Sequence, residues 1–459
     1  MAWPAAATEP GFLGVYGEDA PGTAQRAAVV AAAQRAAGIQ TVRVPFRWSQ
    51  IERFPGVLDF SQEDIVVGAA AKARIDVLPF VIDAPAFLSM TTPSNYERLP
   101  VDAADLGVFA ARLVQRYGPG GSFWAQHPEL PLRPIRAWQV WNEPNLPHNW
   151  YPNPDPLGYA QLLRVTAAAI RAADPGAEVL AAGMPDSDNG VAFEEYVSAL
   201  YAAGAQHSFD SFALNAYSPT AQGTIDLVRY VRGLLDARGD TRPMNVTEFG
   251  WSSAGPTKPQ RTTEEGQAQN IAAVVRTVGA ERAQLRLERL IEFSWRDRVV
   301  APGMKDQWPY YTGLLRTDAS PKPALAAFRD AAYALAHAAA PTSPAATIDA
   351  AARQQAARGR VDHRPRVRVV RVRHRRAAWR VRVRCTARCM VRLRLIARSR
   401  RSTVGHARIV LPRAGSQTVL IPSRSRLRVR RFVLEVADIS RTPLHVLRRI
   451  RLAAVAPGG

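Results

Sequence analysis

The chain has 459 residues, 47% of them hydrophobic, which is enough for one large domain and a smaller one and excludes wholesale disorder. Its net charge of +21 points to nucleic acid only until it is divided by region, because residues 361–459 hold 27 Arg against 3 acidic residues. The first 360 residues carry 33 basic and 36 acidic groups, so the front of the chain is a near-neutral globule and the charge belongs to the tail.

The opening "MAWPAAATEPGFLGVYGED" lacks the basic region and long apolar core of a secretory signal. Either the protein is cytoplasmic or the recorded start lies downstream of a signal. Short apolar runs then alternate with helical patterns. "FLGVYGED" (12–19) precedes a pattern from Thr23, "TVRVPFRW" (41–48) one from Gln62, and "DVLPFVIDAP" (76–85) one from Val101. The beat continues with "RAWQVWNEPN" (136–145), "EVLAAGMPD" (178–186), "FDSFALNAYSP" (209–219), "PMNVTEFGWSS" (243–253) and "RLIEFSWRDR" (289–298), each followed by a candidate helix. Continuous apolar runs suit strands buried on both faces, and eight such units predict an α/β fold, a closed (β/α)8 TIM barrel over 1–334. A doubly wound sheet is the alternative, but the glycine-rich dinucleotide fingerprint after the first strand is missing.

From Ala331 the sequence "AAYALAHAAAPTSPAATIDAAA" reads as a helix end followed by a linker, 335–360. No run of about 18 apolar residues is present, so no transmembrane segment is expected. Residues 361–459 show period-2 alternation in "RVRVVRVR", "WRVRVRC", "VRLRLIA" and "RLRVRRFVLEV", with turn residues between, which predicts a small all-β sandwich rich in arginine. Those arginines either form a solvated face or hold an anionic polymer such as an acidic polysaccharide, a wall polymer or a membrane surface. Nucleic acid is not expected, because the interleaved aromatics and recognition motifs are missing. Cys385 and Cys389, in "RVRCTARCMVR", are expected to face each other across a tight hairpin; a disulfide there implies an oxidising compartment, whereas two reduced cysteines in a strand pair is the plainer alternative.

In a TIM barrel the C-terminal strand ends converge on the active site. Polar residues gather there: Arg43 on the second strand, Asp83 on the third, Asn142 and Glu143 on the fourth, Asn215 and Tyr217 on the sixth, Glu248 on the seventh, Trp295 and Arg296 on the eighth. Any one of these can be a helix cap or core residue. Together they set two glutamates across the barrel mouth, where paired carboxylates divide the acid and nucleophile roles.

The segments "VWNEPN" and "TEFGWSS" resemble the acid/base and nucleophile segments of clan A glycoside hydrolases, family 39 first and family 5 next. "RVPFRWSQIERFPGVLDF" (43–60) and "GLLRTDASPKPALAAF" (313–328) are similar to further segments of those families, so the resemblance covers about 10–333. It implies a retaining glycosidase acting on β-linked oligo- or polysaccharides. Glu143 is then the acid/base, kept protonated by aromatic surroundings and by the charge of Glu248, and Glu248 the ionised nucleophile, held by Tyr217 and Arg43. Retention sets their carboxyls about 5 to 5.5 Å apart. The resemblance also implies that Asn142 binds the sugar 2-hydroxyl and that Trp295 offers a face to the ring, with Trp48, Trp150 and Trp251 either lining further subsites or packing the core. Relatives commonly carry histidine where this chain has Asn215. The alternative function is a non-catalytic carbohydrate-binding protein on an inactive barrel. No metal or organic cofactor is expected, and the expected location is extracellular or at the cell surface, with the cytoplasm as the alternative.

Overall fold

In a computed structural model, the structure describes residues 11–17 and 22–337 apart from 91, 94, 95, 188 and 302, and the backbone of strands lying between 367 and 453. The chain divides into two compact units, Met1–Arg232 with Thr241–Ala338, and Gly233–Asp240 with Ala339–Gly459.

The first unit is built on β1 (Leu13–Tyr16), β2 (Thr41–Arg47), β3 (Asp76–Ile82), β4 (Ala137–Val140), β5 (Glu178–Leu180), β6 (Met184–Pro185), β7 (Phe212–Asn215), β8 (Met244–Phe249) and β9 (Leu287–Glu292). They pair in the order β5-β4-β3-β2-β1-β9-β8-β7-β6, and neighbouring strands run parallel. The fifth expected run is split. β5 pairs with β4 and β6 with β7, while bridges from Leu180 to Ser211 and from Asn142 to Gly183 tie each half to the opposite neighbour, so the halves act as one strand and the ring closes. The break includes Gly183, where a Cβ would lie 2.4 Å from both Asn215 Oδ1 and Thr247 Oγ1. Side chains of the next two strands fill that space, so only glycine fits.

Every residue of β1, β4, β7 and β8 is buried, as expected of strands covered on both faces, and polar members such as Gln139, Asn245 and Thr247 find their partners inside the barrel. The intervening helices start where side chains cap them. Thr23 accepts from Arg26 N before Ala24–Ala36, Asp102 from Ala104 N before Ala103–Tyr117, Asp155 from Leu157 N before Pro156–Ala173, and Thr263 from Gly266 N before Glu264–Ala280. A polar plug fills the N-terminal end of the barrel. Arg289 on β9 bonds Glu178 on β5 at 2.9 Å and Asn245 on β8 at 3.0 Å, and Ser211 donates to Glu178 at 2.6 Å. Among the described residues, no helix is long and apolar enough to cross a membrane. The last helix of the unit, Pro323–His337, runs three residues into the expected linker, the rest of which lies outside the described residues.

The second unit carries β10 (Val367–Arg375), β11 (Ala378–Cys385), β12 (Cys389–Ala397), β13 (Ser402–Leu411), β14 (Gly415–Pro422), β15 (Arg431–Asp438) and β16 (His445–Ala453). They form two antiparallel sheets, β10-β11-β14 and β13-β12-β15-β16, the two-sheet arrangement that the alternating pattern predicts. The hairpin expected around the cysteines is not formed. β11 ends at Cys385 in the first sheet and β12 begins at Cys389 in the second, so the two strands do not pair with each other. Two alternating runs with a short gap signal a hairpin only when both lie in one sheet; in a sandwich the same pattern spans two. The side chains of both cysteines lie outside the described residues.

Candidate active site

The mouth of the barrel is organised by a buried guanidinium. Arg43, 0% exposed on β2, donates from Nη1 to Glu248 Oε1 at 2.8 Å, from Nε to Gln139 Oε1 at 2.9 Å and from Nη2 to Asn142 Oδ1 at 3.0 Å. Its guanidinium carbon also sits 4.2 Å from the centre of the Phe80 ring. A planar fork of donors spends three directions at once and so fixes three strands relative to one another. Glu248, on β8, takes its second bond at Oε2 from the Tyr217 hydroxyl at 2.7 Å. Burial, then the charge of Glu248, drives the Tyr217 hydroxyl well above its ordinary pKa, so it stays a donor to this carboxylate.

Glu143 lies just past β4 in a left-handed backbone conformation, φ +47°, and Trp141, two residues before it, has φ +71°. Such geometry in residues other than glycine is strained and persists where surrounding contacts hold it. Here Glu143 N donates to Gly183 O at 2.9 Å, and its carbonyl accepts from Leu146 N at 2.9 Å. The loop then folds back. Trp141 Nε1 donates to Asn149 O at 2.8 Å, and Asn149 Nδ2 donates to Glu143 Oε2 at 3.1 Å. Asn215 Nδ2 reaches the other oxygen, Oε1, at 2.8 Å, while its own Oδ1 accepts from Thr247 Oγ1 at 2.8 Å. Both carboxyl oxygens of Glu143 therefore accept from amides. Burial, then the negative charge of Glu248, pushes the Glu143 carboxyl up to about 8, against the opposing pull of Asn215, Arg43 and Asn149. The pair thus has one member fixed by a guanidinium and a phenol, and the other biased toward the protonated form at neutral pH.

The structure joins Arg43, Asn142, Glu143, Asn215, Tyr217 and Glu248 in one hydrogen-bonded network. Asp83 stands apart from it. At 7% exposure and φ +61°, it takes a bidentate contact from Arg98 at 3.1 Å and a short bond from the Ser49 hydroxyl, so its carboxylate clamps the loops after β2 and β3. Trp295 is 2% exposed, with backbone bonds to Tyr16 and Leu315. Arg296, next to it, is half-buried. The other tryptophans are packed: Trp48 stacks on Phe109 at 5.1 Å, Trp150 meets the edges of Trp141 and Tyr159, and Trp251 is fully buried against Phe249.

Four residues that sequence reasoning passed over complete the site. Gln139, Asn149 and Thr247 orient Arg43, Glu143 and Asn215. Half-buried Trp308 sits perpendicular to Tyr217 at 5.2 Å between ring centres. Gln139 and Thr247 were detectable in principle as polar residues inside largely apolar strands; Asn149 lies in a loop and Trp308 at the start of a single 3-10 turn, Trp308–Tyr311, where local pattern carries no signal. Among the described residues, no group of three or more His, Cys, Asp or Glu could hold a metal ion.

No protein-family profile matches the chain, and no curated protein sequence matches it. Solved structures do. The chain is similar to a family 39 glycoside hydrolase from the gut symbiont Bacteroides cellulosilyticus WH2, at 17% identity and TM-score 0.54, over 90% of this chain and 81% of that one. It is also similar to GH5_18 from Streptomyces cattleya in complex with GlcNAc, at 18% identity and TM-score 0.53, over 73% and 82%. The likeness is one of fold, the TIM barrel that the alternation of strands and helices predicts.

Proposed function

We propose that the barrel is a retaining β-glycosidase acting on an oligo- or polysaccharide. The observation that carries this reading is the asymmetry of the carboxylate pair, in which Glu248 is held by Arg43 and Tyr217 while Glu143 is pushed up to about 8. In the first step a Glu248 oxygen attacks the anomeric carbon as Glu143 gives its proton to the departing glycosidic oxygen, leaving a covalent glycosyl ester. In the second, the Glu143 carboxylate takes a proton from water, the hydroxide oxygen bonds to the anomeric carbon, and Glu248 leaves as carboxylate. With its oxygen engaged by Arg43, Asn142 has its NH2 to offer the sugar 2-hydroxyl. Tyr217 and Trp308 give the sugar an aromatic wall, a role for which the half-buried Trp308 is better exposed than Trp295. A polymeric substrate that cannot cross a membrane fits an extracellular or cell-surface location.

Azide rescue tests the assignment. Glu248→Ala should lose turnover of all substrates, while Glu143→Ala should retain turnover of aryl glycosides whose leaving group needs no protonation. Azide should partly restore both, giving glycosyl azides of opposite anomeric configuration. The same anomer from both variants would overturn the division of roles.

A further inference from the structure

The two sheets of the second unit treat their arginines differently. In the four-stranded sheet Glu435 stands opposite Arg394 on one side and Arg449 on the other, and a single pair, Arg392 and Arg408, faces like with like. The three-stranded sheet has no such compensation. Its ladder sets Arg368 opposite Arg384, Arg371 opposite Arg382 and Arg373 opposite Arg380, with Arg375 following beside Ala378. A register shift between Val369 and Arg371 keeps all of these positions on one face. The third strand continues that face with Ser416, Thr418 and Leu420, and none of the three strands contains Asp or Glu. Arg382 and Arg384 are exposed, whereas Val381, next to Arg382 and on the opposite face of the strand, is buried, so the arginine face is the outer one.

Like charges directly opposite one another destabilise a sheet. A face built only to be solvated gains nothing from three such pairs in successive register, because Thr or Gln solvates equally well without repulsion. A bound polyanion removes the repulsion, and strands about 4.8 Å apart with same-face residues about 6.7 Å apart give a two-row grid suited to regularly spaced negative groups. The aromatic residue of this ladder, Trp379, falls on the opposite face, which leaves no platform for stacking bases. We infer that the outer face of β10 and β11 binds a linear acidic polysaccharide and so serves as a docking surface for polymer. The choice of a polysaccharide over other polyanions rests on the glycosidase reading of the barrel.

The test uses the full chain and immobilised polygalacturonate, with neutral mannan and duplex DNA as parallel arms. Retention on polygalacturonate is expected at about 20 mM salt and should be lost by about 500 mM, with none on mannan. Arg382→Glu with Arg384→Glu should cut retention by about tenfold or more. The same variant should raise the melting temperature, since two repulsive cross-strand pairs become attractive. Arg380→Thr, Arg382→Thr and Arg384→Thr together give the same loss of binding without new charge, should the acidic variant fail to fold. Failure of the unaltered protein to bind at low salt, undiminished binding by folded variants, or tighter retention on DNA would each overturn the proposal. Hydrolysis of an aryl β-glycoside, assayed on the same samples, reports on the barrel separately: an inactive protein that still binds polygalacturonate defeats the glycosidase reading and leaves the arginine face standing.

Discussion

The side-chain amide of Asn215 donates to Glu143 Oε1 at 2.8 Å, and Thr247 decides which way that amide points by donating to its oxygen. The relay contacts the acid through a group that does not titrate. Asn215 stabilises the ionised form of Glu143, so its removal should raise the Glu143 pKa above about 8. Because the first step needs the protonated acid, the alkaline limb of the kcat/KM profile should move to higher pH in Asn215→Ala, and in the same direction by less in Thr247→Val. A limb that stays put or moves down in both variants would show that the relay does not tune the acid.

Stereochemistry gives an independent check on the carboxylate pair. A retaining enzyme holds its carboxyls about 5 to 5.5 Å apart, an inverting one about 6.5 to 9.5 Å to admit water. Proton NMR of the first-formed hydrolysis product of an aryl β-glycoside should show the β-anomer, with the α-anomer appearing only later by mutarotation. An α-anomer formed first would exclude a nucleophilic role for Glu248.

How the site could be read from sequence follows from where its residues lie. Arg43, Glu143 and Glu248 sit in or just past strands that are largely apolar, so a charged residue there stands out in the sequence alone. The partners that tune them are harder to see. Asn149 reaches Glu143 because the loop after β4 folds back on a hydrogen bond from Trp141 to the Asn149 carbonyl, a tertiary closure that leaves no periodic trace. Asp83 meets another such tertiary contact. It occupies a strand-end position that suits a substrate ligand, yet Arg98, fifteen residues on, returns to neutralise it. The cysteine hairpin failed for a topological reason, since alternation fixes the face of a strand but not the sheet to which its neighbour belongs.

The Arg43 to Glu248 pair should weigh on stability as well as catalysis. Both side chains are buried, so Arg43→Met leaves a carboxylate without its counter-ion and should cost about 3–5 kcal/mol in urea unfolding. Adding Glu248→Gln should recover part of that loss, because the stranded charge is removed. A double variant no more stable than Arg43→Met would mean that the guanidinium acts mainly by packing against Phe80.

Trp308 should affect binding more than chemistry. Its ring stands against Tyr217 and is half-buried, so Trp308→Ala removes apolar area available to the sugar without touching either glutamate. The expected result is a rise in KM of about tenfold with kcat changed little. A fall in kcat at unchanged KM would instead indicate that Trp308 acts by positioning Tyr217 on the nucleophile.

Glu292, the last residue of β9, is fully buried, and neither carboxyl oxygen has a hydrogen-bond partner among the described residues. The nearby Lys322 ammonium is engaged with Asp297, Ser253 and the Tyr311 carbonyl. Burial drives Glu292 well above the ordinary carboxylate range, with Lys322 pulling it down and Asp297 pushing it up. The sign of the pH effect follows. The folded state binds this proton more tightly than the unfolded chain, so the stability that goes with the neutral carboxyl is present at low pH. It is lost as pH rises from about 4.3, the unfolded value, toward the folded one. Glu292→Gln keeps the shape and removes the proton equilibrium. Its unfolding free energy relative to the unaltered protein should therefore improve with pH, by up to about 1.4 kcal/mol per unit above about pH 5. Other titrating groups cancel in that difference, so stability curves that stay parallel from pH 5 to pH 9 would show that Glu292 is already ionised in the fold and paired there.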